Sequence, residues 1–195
     1  MIIISGSAHP SLAKAIAKKL EISLGKIEIG RFPNGEKKIR ILEKTRNQKV
    51  FIVQPLIKDE DIIEVCLIVN ALRHQKAKEI ILVAPWLAYN PQDKIFRSGE
   101  PFSLQVIAGI MEAVGLNALI TVDPHSPQIK RLFSIPLIIL TALPLFIPLL
   151  LENKKKAVVA SLDQGGRKRS KKLAQSLELS LVILEKTPVS YTHLR

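Results

Sequence analysis

Short apolar runs, each closed by turn chemistry and followed by residues at helical spacing, constrain this chain more than any other feature. Ile2-Ile3-Ile4-Ser5, Val50-Phe51-Ile52-Val53, Glu79 to Ala84, Leu119-Ile120-Thr121-Val122, Ala157 to Ala160 and Leu181 to Leu184 read as strands. A brief continuous apolar run bounded by Gly, Pro, Asn or Asp is the pattern of a strand buried on both faces. Helical spacing fills the gaps. Pro10 opens a helix with Leu12, Ala15, Ile16 and Leu20 on one face, since its missing N–H is harmless in a first turn. Asp59-Glu60-Asp61 places acids at the positive end of a longer helix, in which Ile62, Ile63, Val65, Cys66, Val69 and Leu72 recur as far as about His74. Ser103 reads as the cap of a third helix, with Val106, Ile107, Ile110, Met111 and Val114 on its apolar face and Gly115 as its stop. Arg167 to Leu177 makes a fourth. Strands alternating with helices need crossover connections, so the expected fold class is α/β, a mostly parallel sheet flanked by helices.

With 195 residues the chain has room for one full domain and part of another. The uncharged run from Ile135 to Leu151 is shorter than the roughly 20 residues of a membrane span and carries Pro136, Pro144 and Pro148. It reads instead as a buried strand, a turn and a helix start, and no membrane association is expected. The single cysteine, Cys66, excludes an intramolecular disulfide framework and fits a core thiol in a reducing compartment. Met1-Ile2-Ile3-Ile4 has no basic leader and reaches Gly6 and Pro10 too soon for a secretory signal, so a cytoplasmic protein is expected. The net charge of +12 raises nucleic-acid binding as a reading, through Lys154-Lys155-Lys156, Arg167-Lys168-Arg169 and Lys171-Lys172. With 5% aromatic residues and positive charge spread over several helices, a stacking platform is not expected. Sugar phosphates and nucleotides suit a basic surface better.

Four stretches carry candidate chemistry, and each has a plain structural reading beside it. Gly30-Arg31-Phe32-Pro33-Asn34-Gly35-Glu36 follows the short strand Lys26 to Ile29. Asn-Gly between strands signals a hairpin by itself; the functional reading has Phe32 stack on a flat base while Asn34 and Glu36 accept from its polar edge. Trp86 to Pro101 is a long loop with Gln92, Asp93, Lys94 and Arg97 as phosphate or base contacts. Asp123-Pro124-His125 follows a strand, where α/β sheets bind ligands, and its carboxylate and imidazole are lone-pair donors for a metal; a solvated surface turn remains open. Ser161-Leu162-Asp163-Gln164-Gly165-Gly166 sets an acid beside paired glycines ahead of a helix, which suits a metal–phosphate loop or a bare Gly-Gly turn.

Taken in order, Gly30 to Glu36, Val50 to Gln54, Pro85 to Lys94, Thr121 to Phe133 and Ser161 to Gly166 resemble the ribose-phosphate pyrophosphokinases, or phosphoribosyl pyrophosphate synthases. The resemblance implies two phosphoribosyltransferase-like α/β domains. Residues 1–140 correspond to the ATP-side domain, 141–188 to the opening of the second, and 189–195 match nothing in the family. It implies Mg²⁺-dependent transfer of pyrophosphate from ATP to ribose 5-phosphate, with release of AMP, by dimers or hexamers. Asn34, Gly35 and Glu36 match the adenine-binding loop, with Phe32 as stacking partner reaching a neighbouring subunit's nucleotide. Gln92 matches half of an Arg-Gln pair that contacts ATP, with Asp93 beside it. His125 and Asp163 match Mg²⁺-associated positions, and Lys186 matches the lysine that opens the mobile catalytic loop. Such transfer relies on positioning and on cations that meet developing phosphate charge.

The departures are specific. Pro91 stands where the family has its ATP-contacting arginine, which removes a charge-assisted contact, and Pro124 stands where an apolar residue is usual. Thr187-Pro188 replaces the continuation after Lys186, and the acidic, Thr- and Gly-rich loop that holds ribose 5-phosphate does not occur. The expectation is therefore a C-terminally truncated synthase, inactive as these residues alone. The alternative is a non-catalytic nucleotide-binding homologue or regulatory subunit.

Overall fold

A computed structural model describes residues 1–152, 157–162 and 165–184. The chain divides into two compact units, Met1–Leu140 and Thr141–Arg195. In the first, five strands form one parallel sheet: β1 (Ile2–Ser5), β4 (Lys49–Val53), β5 (Glu79–Ala84), β6 (Ala118–Val122) and β7 (Leu137–Leu140), in that spatial order. The register runs Ile4↔Ile52, Ile52↔Leu82, Leu82↔Leu119 and Leu119↔Leu137 across the sheet. The strands are joined through helices α1 (Pro10–Leu20), α2 (Asp59–His74) and α3 (Ser103–Ala113), with an antiparallel hairpin, β2 (Ile27–Arg31) and β3 (Lys37–Ile41), inserted between α1 and β4. A 3-10 turn, Pro127–Leu132, lies between β6 and β7 and is capped by Ser126, whose hydroxyl accepts from the Gln128 N–H.

Successive strand side chains point to opposite faces, and the core divides accordingly. Ile2, Ile4, Val50, Ile52, Ile80, Leu82 and Leu119 meet α2 and α3 in the main core. Ile3 and Val53 meet Ala13 and Ala17 of α1 on the other side. The helix faces differ from the sequence expectation. In α1 the buried positions are Ala13 and Ala17, whereas Ala15 and Leu20 are exposed, because small residues let the helix sit close on the sheet. In α3 the inward stripe is Leu104, Ile107, Ala108 and Met111, and Val106 and Ile110 face outward. Ser103 is not that helix's cap; it is the first helical residue, after Phe102, and its hydroxyl donates to Gln92 Oε1. In α2, Ile63 is exposed while Asp61 and Glu64 are buried. Cys66 packs at the margin of the core, where burial pushes its thiol pKa up.

The run Ile135 to Leu151 is buried only in part: Leu137 joins the main core, with Ile135 and Ile139 packed against it. Ile138 and Leu140, on the opposite face of β7 from Leu137, are 47% and 50% exposed. The second unit opens with α4 (Leu143–Leu151), none of whose residues is buried. It continues with β8 (Val159–Ser161), α5 (Arg167–Leu177) and β9 (Leu181–Ile183), in which β8 and β9 pair in parallel. Val159, Ala174 and Leu177 form its small core, with Ile147 packed against them. Among the described residues no helix is long and apolar enough to cross a membrane.

Leu82 lies fully buried in the middle strand of the sheet. Leu82→Ala is therefore expected to destabilise the protein by about 2–5 kcal/mol in urea unfolding, through lost transfer energy and a residual cavity. A second expectation comes from Glu112, whose Oε2 accepts from the Ser134 hydroxyl (2.6 Å) and Oε1 from the Ser134 N–H (2.6 Å), which fastens the approach to β7. The Ser134 hydroxyl bond, helped by the Ser134 and Ile135 backbone N–H groups, holds this carboxyl below the usual 4.5 against the opposing effect of burial, which is smaller than the hydroxyl bond's. A depressed folded pKa contributes stability above the unfolded value and loses it as pH falls through the folded one. The stability gap between the wild type and Glu112→Gln should thus be present at neutral pH and close below about pH 4.5.

Candidate functional site

Parallel pairing brings the carboxyl ends of β1, β4, β5 and β6 to one edge of the sheet, and the polar side chains of the first unit collect in the turns there. After β1, Gly6 runs so close to Gln54 that a Cβ at this position would lie 2.1 Å from Gln54 Oε1. The approach lets that oxygen accept the Ala8 N–H at 3.0 Å, while Gln54 Nε2 donates to Asp61 Oδ1 at 3.3 Å. The other oxygen of Asp61 accepts the N–H groups of Ile57 (2.9 Å) and Lys58 (2.8 Å), which settles the start of α2. Glu64, one turn further, is fully buried. Its oxygens accept the Ser7 N–H and the Ser7 hydroxyl, both at 2.6 Å, and the Lys37 ammonium from β3. A buried carboxylate needs this number of donors, because leaving water without them is prohibitive.

The hairpin loop Phe32–Glu36 projects from the same region. Arg31 and Lys37, the last cross-strand pair before the loop, form ion pairs with Glu60 and Glu64 on successive turns of α2. The Arg31 hydrogen bond and charge hold the exposed Glu60 carboxyl below the ordinary range. Arg31 also donates to the Gly35 carbonyl at 2.6 Å, and Gly35 adopts φ +90°, a conformation that favours glycine. Asn34 Oδ1 accepts the Glu36 N–H at 3.3 Å. Phe32 is 47% exposed, with the Lys38 ammonium 5.7 Å from its ring centre. A recess of about 530 Å³ lies under the hairpin base, lined among others by Ser7, Arg31, Lys37 and Lys58.

The loop after β5 turns at Tyr89, a non-glycine residue at φ +59°, whose hydroxyl donates to Asp59 Oδ1 at 2.7 Å and has its pKa raised by that acceptor. Gln92 follows; its Oε1 is engaged by Ser103 and its carbonyl accepts the Leu104 N–H, so the residue ties the loop to α3. Gln92, Lys94, Phe96 and Arg97 line an open recess of about 510 Å³, and Asp93 sits half-buried beside them. After β6, Asp123 takes φ +42° and His125 is exposed. Left-handed backbone at a non-glycine residue is stored strain of a kind found at ligand sites. Asn90 Oδ1 and Thr121 Oγ1 are buried polar atoms without a partner among the described residues. No group of three His, Cys, Asp or Glu side chains gathers as a metal cage among the described residues.

The expected site residues thus occupy three separate loops: Phe32, Asn34, Gly35 and Glu36 on the hairpin, Gln92 and Asp93 after β5, and His125 after β6. Asp163 and Lys186 lie outside the described residues. Sequence reasoning missed Glu64, Gln54 and Lys37. Helical spacing held a signal for Glu64, which falls with Asp61, Ile68 and Leu72 on one stripe of α2.

An open parallel sheet with helices on both faces and polar loops at its carboxyl edge defines an α/β protein of the ligand-binding kind. Residues 1–115 match the family described as the N-terminal domain of ribose phosphate pyrophosphokinase. The chain is 38% identical to a ribose-phosphate pyrophosphokinase of Fusobacterium nucleatum over 189 residues, 94% of this chain and 60% of that protein. It is 34% identical to the ribose-phosphate pyrophosphokinase of Thermotoga maritima, over 95% of this chain and 61% of that one. Among solved structures, phosphoribosylpyrophosphate synthetase from Mycobacterium smegmatis superposes with a TM-score of 0.90 at 30% identity, covering 95% of this chain and 64% of that one. The chain belongs to the ribose-phosphate pyrophosphokinase family, and it spans about three fifths of the length of the curated relatives it matches.

The close approach at Gly6 sets a test of the site's foundation. Gly6→Ala pushes a methyl into Gln54 and is expected to destabilise the protein by about 1–3 kcal/mol. Gly6→Ala combined with Gln54→Ala, which removes the two nearest clashing atoms and leaves Cβ at 3.0 Å, should recover part of that loss in urea unfolding.

Proposed function

We propose that this chain carries the nucleotide-binding side of a ribose-phosphate pyrophosphokinase, which transfers pyrophosphate from ATP to the anomeric hydroxyl of ribose 5-phosphate and releases AMP. The observation that carries the reading is a half-exposed Phe32 at the tip of a hairpin, within the part of the chain that matches the family. In this reading Phe32 stacks on the adenine. Asn34 and Glu36 meet the polar edge of the base, and Gly35 permits the turn that sets them side by side. Gln92 and Asp93 engage the nucleotide from the neighbouring loop, with Lys94 and Arg97 supplying positive charge for phosphate. In an oligomer of the family's type, Phe32 serves the nucleotide of an adjacent subunit.

The donor set fits a metal that arrives on nucleotide phosphates, not one held in a protein cage. Mg²⁺ keeps water and phosphate oxygens and needs only one or two protein donors. The exposed His125 imidazole is assigned to it; Asp163, the other metal position that the family resemblance implies, lies outside the described residues. When bound, the ion neutralises charge on the phosphates in transfer. Lys186 is assigned the same electrostatic task at the transferred group. The chain's own residues bind and orient the nucleotide, which is most of what phosphoryl transfer asks of a protein. A cytoplasmic place in nucleotide biosynthesis follows from this reading.

One feature favours the second reading, a non-catalytic nucleotide-binding homologue: Pro91 supplies no charge beside Gln92. The two readings separate on AMP formation. The lone tryptophan, Trp86, is exposed at the start of the loop that carries Gln92 and reports binding by fluorescence. Mg-ATP is expected to change that signal saturably, and Phe32→Ala to weaken binding by roughly 10- to 100-fold, the range of a lost base–aromatic stack. No saturable response from the wild type overturns the ATP reading. ATP binding without any ribose 5-phosphate-dependent AMP from the whole gene product selects the non-catalytic homologue.

A further inference from the structure

The hairpin that carries Phe32 is tied to the body of the first unit through a charge pair that the sequence pattern hides. Arg31 and Lys37 are cross-strand partners at the last register before the five-residue loop, so their side chains leave the hairpin on one face. Glu60 and Glu64 stand one helical turn apart on one face of α2. The two spacings match, since cross-strand Cβ atoms and i,i+4 helical Cβ atoms are both separated by about 5 Å. A hairpin base can therefore be fastened to a helix at two points without twisting either element. The two fastenings are unequal. Arg31 and Glu60 are both about half exposed, and pairs of that kind contribute little. The Lys37 side chain is 11% exposed and that of Glu64 is fully buried. Glu64 is also held by the backbone and hydroxyl of Ser7, in the turn after β1. The Lys37–Glu64 bond thus joins the hairpin, the start of α2 and the first turn of the sheet at one carboxylate.

We propose that Lys37 and Glu64 are positioning residues that fix the direction in which the hairpin presents Phe32, and so set nucleotide affinity without touching nucleotide. The inference rests on the ATP reading of the hairpin loop. At the far end of the hairpin Ile27 and Ile41, and at its middle Ile39, pack on the core, a greasy contact that tolerates small rotations. Beside the loop, the Lys37–Glu64 bond is the buried directional contact. Its loss leaves the root of the loop with the solvated Arg31–Glu60 pair and the apolar packing further along the hairpin.

The test uses the full chain. Lys37→Met retains the aliphatic stem and removes the charge; Lys37→Arg restores it; Lys49→Met, which breaks the 2.7 Å Lys49–Glu79 pair between β4 and β5, serves as control. The readouts are amide hydrogen exchange of Phe32 and Gly35 in ligand-free protein, whose N–H groups bond the Glu36 and Phe32 carbonyls at 2.8 Å, and Mg-ATP affinity by Trp86 fluorescence. Lys37→Met is expected to raise exchange at those two amides at least 10-fold over the change in the sheet, and to weaken ATP about 10-fold. Lys37→Arg should return both toward wild type, and Lys49→Met should move neither. If Lys37→Met fails to fold, Lys37→Gln with Glu64→Gln replaces the ion pair by an amide pair, and the same two readouts apply. Uniformly faster exchange with unchanged ATP affinity means a general stability role and overturns the proposal. Wild-type-like exchange at Phe32 and Gly35 in Lys37→Met also overturns it. A wild type that binds no ATP overturns the functional reading itself, an outcome separate from a mutant that binds as tightly as wild type.

Discussion

Parallel pairing is the constraint on which this molecule depends. Each of β1, β4, β5, β6 and β7 bonds its neighbour in parallel, so every strand must be followed by a crossover and every carboxyl end emerges at the same edge. The interior of such a sheet is apolar on both faces, which the buried isoleucines, valines and leucines satisfy. Polar function is then confined to that edge. Gly6, Gln54, Tyr89 and Asp123 are all within a few residues of a strand's carboxyl end; the loops after β5 and β6 carry Gln92, Asp93 and His125, and the separate β2–β3 hairpin carries Phe32, Asn34, Gly35 and Glu36.

The edge is made rigid by burying charge, an expensive choice. Desolvating the Glu64 carboxylate and the Lys37 ammonium costs several kcal/mol per ion, and the pair recovers this only with good geometry and further donors. Ser7 supplies those donors twice. An apolar pair of similar volume in the same place is expected to be no less stable. What an apolar pair lacks is direction: a greasy contact permits sliding, while three hydrogen bonds to one carboxylate do not. Retaining ions at the root of a loop is therefore better explained by orientation than by stability.

Much of the fold was legible because its local chemistry and its tertiary role agree. β1, β5 and α5 fall where the apolar runs and helical spacing place them, and Asn34-Gly35 lies at the turn of a hairpin. The misreadings have one physical origin: composition reports that a residue is apolar but not which neighbours cover it. Ile138, Leu140 and the residues of α4 are as apolar as a core strand and helix, yet those two lie on the face of β7 opposite Leu137 and α4 buries none of its residues. Val106 and Ile110 lost their expected places to Leu104 and Ala108, because two apolar stripes on one helix can be told apart only by the sheet they meet. Phe32, Asn34 and Glu36 were visible as candidates because the loop chemistry is local. The Lys37–Glu64 bond was not, since it joins residues far apart in sequence through an acid sitting among apolar helical positions.

That contrast bears on how affinity is divided in such a hairpin. A loop of five residues with a half-exposed aromatic can stack on a base in many orientations, and each orientation surrendered on binding is an entropic loss. Holding the loop's root before the ligand arrives moves that loss into folding, where burial of the surrounding core offsets it. Arg31 contributes at both levels: it braces the loop internally through the Gly35 carbonyl and externally through Glu60. Because that external pair is solvated, salt screens it, whereas the buried Lys37–Glu64 pair is screened far less. The orientation of Phe32 should accordingly persist at ionic strengths that silence the surface pair, and the buried carboxylate is the element that makes the difference.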